Sequence, residues 1–503
     1  LVAQFDMDCA SSWASCGWAE SPWEHAAHGE CDNTDAEVIM KTAFRLAGLA
    51  CVLTLAGASG CSKESSLTPP SGVDSGAAGS AGTPGQDSGI AGAGGVGGHP
   101  SGETPLLERP LPAAYDCTVA RPVVVHTDLA ASSGTLGVPT AAGIQLGYVV
   151  SGWVSTPGLS KGIFASTLSS GGTVATPMAV HSANLASTPL LIRQGNGTTL
   201  AWTESEQIWT AQIDDTNNVV TPARSQYAAR NAGSVGYLRT AMSGSQARLF
   251  WGEMESDSGP SSIRTVALTS EGSFDGQPTS VVDVAASSLW LDDVVPFESG
   301  FALVYADGVG INSKSHYLAL DAALKPRHAA VDLGSGRSGS WGQGAVLLAH
   351  GSQVLVAKTV KSGDYDKANI AGVVEITRLD SSATRVAGPT PLKAPVEDVT
   401  QGPAMLLPVG DDVGLLWSEG SVIYMCAGCT PDDALNFVVL DGTSLRPKSN
   451  VVTFPSPDAH GGLVQGQLVG ANGDFHLLTA VQYHVTSSLA SGRLTCTARA
   501  AQN

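Results

Sequence analysis

The chain has 503 residues, of which 14% are charged and 6% aromatic, and a formal net charge of −19. That length admits two or three average domains or one large all-β ring, and a 43% hydrophobic content excludes a chain disordered throughout. An acidic surface with no basic cluster repels phosphate backbones, so no nucleic-acid partner is expected.

Residues 1–39 begin at Leu1 and gather Trp13, Trp18, Trp23, Cys9, Cys16 and Cys31 upstream of what reads as a complete export signal. They are expected to be a mis-called upstream segment. His25 and His28 lie near Cys31 but lack a fourth convincing metal ligand. Residues 40–60 have the layout of a secretory signal peptide: the basic start Met40-Lys41-Thr42-Ala43-Phe44-Arg45, an apolar run from Leu46 to Gly57, then Ala58-Ser59-Gly60 before Cys61. The apolar run is too short to span a bilayer. The small-small-Cys ending resembles the lipobox of bacterial lipoproteins, although Ala58 stands where that family prefers leucine. The resemblance implies a lipid on Cys61 and membrane association through it. Residues 61–112 are Gly, Ala, Ser, Pro and Thr with almost no large apolar side chains, which predicts a flexible tether.

From residue 113 to 503 a short motif recurs: an apolar pair, often an aromatic, a small residue and frequently an acid. It reads Leu146-Gly147-Tyr148, Leu200-Ala201-Trp202-Thr203-Glu204, Leu249-Phe250-Trp251-Gly252-Glu253 and Leu303-Val304-Tyr305-Ala306-Asp307. It continues as Leu355-Val356-Ala357-Lys358, Leu415-Leu416-Trp417-Ser418-Glu419 and Leu477-Leu478-Thr479-Ala480. An apolar strand and a tight turn precede most copies, and a third and a short fourth strand follow. Seven such units predict an all-β, seven-bladed β-propeller of four-stranded blades. A pair of β-sandwiches is the alternative, but the even repeat speaks against a boundary.

The seventh copy lacks a fourth strand, and Pro122-Val123-Val124-Val125-His126 lies ahead of the first copy as an orphan one. Docking it on the last blade would close the ring and bring Cys117 to Cys496, which an exported protein can oxidise. Closing so long a loop stabilises by on the order of 4–5 kcal/mol in a chain-entropy picture. Cys426 and Cys429 are expected to form a local disulfide, since no second Cys pair, nearby His or following helix completes a metal or redox site.

The turns after strands one and three are expected to be short and those after strands two and four long, so the second set marks the functional face. Tyr227, Arg230, Trp290, Arg337, Trp341, Tyr365, Asp366 and His460 fall in that set as ligand-binding candidates. Trp202, Trp251 and Trp417 recur at one strand position and are expected in the core. Gly158-Leu159-Ser160-Lys161-Gly162 has the spacing of a nucleophile elbow without the following helix. Gly334-Ser335-Gly336-Arg337-Ser338-Gly339 has dinucleotide spacing but also leads into no helix. Asp364-Tyr365-Asp366 has no ligand at Ala368 for calcium. No catalytic residue, metal or cofactor is therefore expected.

The whole arrangement of lipobox, Gly/Ala/Ser tether and divergent propeller resembles predicted surface lipoproteins of myxobacterial type. That resemblance implies a location in the cell envelope, in the outer membrane given Ser62, and carries over no catalytic residue. The expected function is a binding or scaffold module for a protein or glycan. The alternative is a hydrolase or lyase with its site at the propeller axis.

Overall fold

The computed structural model describes residues 104–499 apart from 130–136, 151–160, 184–185, 231–232, 237, 256–259, 286–288, 309–312, 336–343, 363–370, 397–398, 422–433, 458–461, 472 and 483–486. Runs rich in Val, Ile, Leu and aromatics, punctuated by Gly, Asp and Ser, favour short strands joined as meanders. In the first sheet β2 (Gly137–Thr140), β3 (Gly143–Val150), β4 (Gly162–Leu168) and β5 (Met178–His181) lie side by side in chain order. The second repeats the plan with β6 (Leu190–Gln194), β7 (Gly197–Glu204), β8 (Gln207–Asp214) and β9 (Val219–Ala228).

The third has β10 (Ser234–Val235) and β11 (Arg239–Ser243) both pairing β12 (Gln246–Met254), then β13 (Ser261–Leu268) and β14 (Phe274–Val284). The fourth holds β15 (Leu289–Phe297), β16 (Gly300–Asp307), β17 (Lys314–Leu320) and β18 (Val331–Ser335). Next come β19 (Ala345–His350), β20 (Gln353–Ser362), β21 (Ala371–Asp380) and β22 (Arg385–Pro391). They share one eight-stranded sheet with β23 (Val399–Val409), β24 (Asp412–Ser421), β25 (Ala434–Leu440) and β26 (Val452–Phe454). The last sheet has the order β1 (Tyr115–Leu129), β29 (Ser487–Ala498), β28 (Asp474–Gln482), β27 (Gly462–Ala471).

This is an all-β propeller with four-stranded blades. It differs from the expected seven separate blades: five stand as separate sheets, and residues 345–454 form the single eight-stranded sheet. The join is one parallel pair, Gly372 with Thr400. A Cβ on Gly372 would sit 2.6 Å from the Thr400 methyl, so only glycine lets the two strands approach there.

Packing between sheets explains the repeat. Leu200 and Trp202 of the second sheet pack on Val149 and Ile163 of the first. Leu249 and Trp251 pack on Leu190 and Ile192, and Leu303 and Tyr305 on Phe250 and Ile263. Trp202, Trp251 and Trp417 are core residues, as expected. Val469, Leu478 and Leu489 of the last sheet share a cluster with Ile144, Leu146 and Tyr148 of the first.

The last sheet takes its outer strand from the amino-terminal side. Cys117 faces Cys496 in the β1–β29 register, and a disulfide joins them. Residues 104–112, expected in the tether, are also packed. Leu106 is buried with Leu392 and Leu445, and the Leu107 amide donates to Leu392 O at 3.0 Å. Arg446 Nε donates to Arg109 O at 2.8 Å, and the Leu111 amide donates to Pro447 O at 2.8 Å.

One expectation about turns needs correction. Every connection from strand one to strand two that lies wholly in the described residues is a tight turn, such as Gly195-Asn196 or Ser299 beside the left-handed Glu298. The third-to-fourth connections 169–177, 321–330 and 441–451 are longer. Each begins with a tight turn closed by its first side chain, after which the chain runs on before the outer strand starts. Asp321 Oδ1 accepts from the Ala323 and Lys325 amides at 2.8 and 2.9 Å, and Asp380 Oδ1 accepts from Ser382 and Thr384 at 2.9 Å each. Asp214, Asp441, Ser169 and Thr269 hold equivalent places in their sheets. This Leu/Ile-Asp/Ser/Thr repeat is a second period in the sequence, independent of the aromatic motif.

Candidate functional site

The motif acids end the second strands, on the face opposite the two-residue turns. The best-developed corner surrounds Glu253 at the end of β12, which is fully buried. Tyr227, near the end of β9 in the preceding sheet, donates its hydroxyl to both carboxylate oxygens, at 2.9 and 2.8 Å. The Arg230 amide donates to the same carboxylate at 3.1 Å. Arg230 Nε and Arg264 Nε stand 3.6 and 3.4 Å from its two oxygens. Arg264 also lies 5.9 Å from the Tyr227 ring centre, and that ring packs 5.4 Å from Trp251.

Arg230 reaches Glu255 at 3.5 Å and keeps 48% of its side chain exposed. Burial, the hydrogen bond to Glu253 and that residue's charge together push the Tyr227 phenol above its ordinary range. Tyr227 is therefore a fixed donor at neutral pH, and the corner presents one half-exposed guanidinium held from behind by a satisfied carboxylate.

Related clasps occur elsewhere. His181 from β5 meets Glu204 at 3.1 Å and stacks 5.1 Å from Trp209. Lys393 meets Glu419 at 3.1 Å, and Trp417 donates its indole N–H to that carboxylate at 2.9 Å. In all three corners a side chain on the outer-strand side of the preceding four strands caps the motif acid of the next. Asp307 differs, pairing with His316 of its own sheet at 3.0 Å.

Lys358 breaks the pattern. The fourth motif position holds Val149, Thr203, Gly252, Ala306, Ser418 and Ala480 in the other copies. Their cross-strand partners are Ile163, Ile208, Ile263, Ser315, Leu435 and Leu489. Here a lysine faces Glu375, and the two residues are 3% and 6% exposed. Lys358 Nζ donates to Ser335 O at 2.9 Å. Burial holds its ammonium down at about 8, with Glu375 and Asp332 opposing the shift and Arg385 adding to it.

At the innermost strands, β15 bulges between Leu291 and Asp293. Arg239 Nε donates to Asp292 O at 2.6 Å, and Asp293 accepts the Leu347 and Val294 amides at 2.8 Å each. Burial raises the Asp293 carboxyl to about 6 against those hydrogen bonds and Arg239. Asp293 thus ties two neighbouring inner strands together. No group of three metal-ligating side chains occurs among the described residues.

Of the expected candidates, Tyr227 and Arg230 come together on Glu253. Trp290 lies apart on β15, half-buried and in register with Ala306. Arg337, Trp341, Tyr365, Asp366 and His460 lie outside the described residues, as do Cys61, Cys426 and Cys429. Sequence reasoning missed Glu253 and Arg264 as partners, and Lys358 with Glu375. The signal for Lys358 was present as the one charged residue at a small or neutral motif position.

No family model matches the chain, and no curated protein matches it. Among solved structures, a polysaccharide lyase, an ulvan lyase bound to a GlcA(1-4)Rha3S saccharide, is similar at 10% identity and a TM-score of 0.46, covering 76% of this chain and 95% of that one. A Trypanosoma rangeli sialidase in complex with 2,3-difluorosialic acid is similar at 9% identity and a TM-score of 0.40, covering 75% of this chain. The match spans 59% of the sialidase's own length. The Dos1 propeller is similar at 12% identity and a TM-score of 0.40, covering 73% of this chain and 78% of that one. Likenesses at this level say nothing about activity, and the propeller assignment rests on the strand order.

Proposed function

We propose that the chain is an envelope-anchored binding or scaffold lipoprotein that recognises a protein or glycan through the face carrying its second-strand ends. The observation that carries this reading is the Glu253 corner, where a buried carboxylate fixes Tyr227 and leaves the Arg230 guanidinium half in solvent. A pre-positioned aromatic and arginine pair is the usual anchor of a recognition surface. On the innermost strand β15 the Asp293 carboxylate is tied to two backbone amides, which favours a structural over a catalytic role for it.

In the same reading the propeller has seven blades, with residues 345–391 and 399–454 as two of them. Separate capped turns at Asp380 and Asp441 and the single parallel pair between the halves support this count. The β1–β29 pairing and the cluster shared by the last and first sheets support a closed ring. The signal at 40–60, the lipid on Cys61, the tether and the outer-membrane location belong to the proposal on sequence grounds alone.

A glycan array and a crosslinking pull-down from envelope extract, with the full chain against Arg230→Glu, test the binding face. Capture that the variant loses supports the reading, and equal capture by both removes it. Radiolabelled palmitate incorporated by the full chain but not by Cys61→Ser tests the anchor, and no incorporation by either removes that part.

A further inference from the structure

Ahead of the last sheet the chain runs along the eight-stranded sheet, docked there by a thin grip. Among the described residues, Leu106 is the one buried residue from Thr104 to Asp116, and the next is Cys117. Leu106 packs with Leu392 and Leu445. Much of the remaining hold is hydrogen bonds to the connections after β22 and β25. The Leu107 amide donates to Leu392 O at 3.0 Å, the Leu111 amide to Pro447 O at 2.8 Å and the Ala114 amide to Lys448 O at 2.7 Å. Arg446 Nε donates to Arg109 O at 2.8 Å. The Tyr115 hydroxyl donates to Asp412 Oδ2 at 2.9 Å, and Lys448 Nζ reaches Oδ1 of the same carboxylate at 3.0 Å. Pro105, Pro110 and Pro112 have no amide to donate, so these residues cannot prolong the β1 ladder, which begins at Tyr115.

Beyond Asp116 the grip changes in kind. Cys117 is bonded covalently to Cys496, and both lie in a core with Phe437, Phe475 and Leu494. The β1–β29 register then continues to Leu129 and Ser487. A segment with one buried anchor and bonds to surface connections opens locally at far lower cost than a strand inside a core. We propose that residues 104–116 are a releasable strap and that the Cys117–Cys496 bond is its stop. Tension from the amino-terminal side peels the strap from the eight-stranded sheet as far as Cys117, and the last sheet keeps its outer strand. The two ladder pairs ahead of the disulfide, Tyr115 with Ala498 and Asp116 with Thr497, peel last, together with the Arg499 contact to Asp116. Thirteen residues are freed, which at 3.3–3.6 Å each give about 45 Å of slack before the ring bears load. The strap re-docks when tension falls, because the stop keeps it beside its own groove at high effective concentration.

The lipid anchor proposed above is what would supply that tension, but the strap and its stop are tested without it and stand or fall separately from it. The full oxidised chain is held in optical tweezers by its two ends. One reversible lengthening of about 45 Å is expected, with no further extension at the same force. Dithiothreitol reduces the disulfide to two thiols and is itself oxidised to its cyclic disulfide. The chain between the two cysteines, 379 residues apart, can then be drawn out by about 1300 Å. Leu106→Asp and Arg446→Ala should each lower the force of the short step and leave the long one unchanged. Hydrogen exchange read by mass spectrometry gives a force-free check. Peptides over 105–116 should exchange on the order of tenfold or more faster than peptides over 118–129, and Leu106→Asp should widen that gap. Equal exchange of the two segments, or loss of both in a single step, overturns the strap as a separable unit. Extension well beyond about 45 Å in the oxidised chain overturns the stop.

Discussion

Glu253 and Lys358 stand at adjacent motif positions, the fifth and the fourth, on second strands of different blades, yet they handle buried charge in opposite ways. Glu253 is fully buried and receives a tyrosine hydroxyl, a backbone amide and two guanidinium groups. Lys358 is as buried but holds one described carbonyl, so burial is left to shift its proton equilibrium. A buried charge with enough partners becomes a structural clasp, and one with too few becomes a titrating group.

Removing the carboxylate is the harshest way to break this contrast. Glu253→Ala leaves Arg264 buried and Tyr227 without its acceptor, and should cost about 3–5 kcal/mol in chemical denaturation. A loss below about 1 kcal/mol would mean that the clasp contributes little net stability.

Lys358→Met should act in the other direction. The folded lysine titrates near 8, below its ordinary value of 10.5, so its burial penalty is fully present below pH 8 and fades as pH rises through 10.5. The variant should be more stable than wild type by up to about 3 kcal/mol at pH 7, with the difference shrinking by pH 10. Equal melting temperatures at pH 7 would show that Lys358 carries no such penalty.

Tyr227→Phe should cost about 1.5–3 kcal/mol in chemical denaturation, the range for a hydrogen bond to a charged group. A loss below about 0.5 kcal/mol would mean that the hydroxyl contributes little to holding Glu253. The smallest effect is expected at the opposite face. Ala383 has φ of 61° in the capped turn that follows β21, where the first and third sheets place Gly172 and Gly272. Ala383→Gly should therefore change stability by less than about 1 kcal/mol and in the stabilising direction, as measured by melting temperature.

Much of the architecture was legible because propeller blades repeat. The positions of Trp202, Trp251 and Trp417, the two-residue turns and the Cys117–Cys496 pairing all follow from periodicity and an odd strand at each end. The site was less so. Tyr227 stood out as a loop-proximal aromatic, but Glu253 read only as a frequent motif acid, and Arg264 on β13 carried no signal. These three meet because β9 of one blade lies against β12 and β13 of the next, a neighbour relation with no fixed sequence spacing. Lys358 was visible in the motif as a substitution, but its cross-strand Glu375 emerged only from the register.

The sequence by itself determined the strand period, the all-β class, the acidic surface and the burial of the motif aromatics, because these depend on local alternation and composition. Tertiary structure decided which charges are buried and what they meet. It also joined residues 345–454 into one sheet and packed residues 104–112 against Leu392 and the connection between β25 and β26. The physical reason is that burial and pairing belong to contacts between blades, and electrostatic effects grow as those contacts exclude water. The same lysine in solvent would be an ordinary surface charge, and its burial opposite Glu375 is what holds its ammonium below the ordinary range.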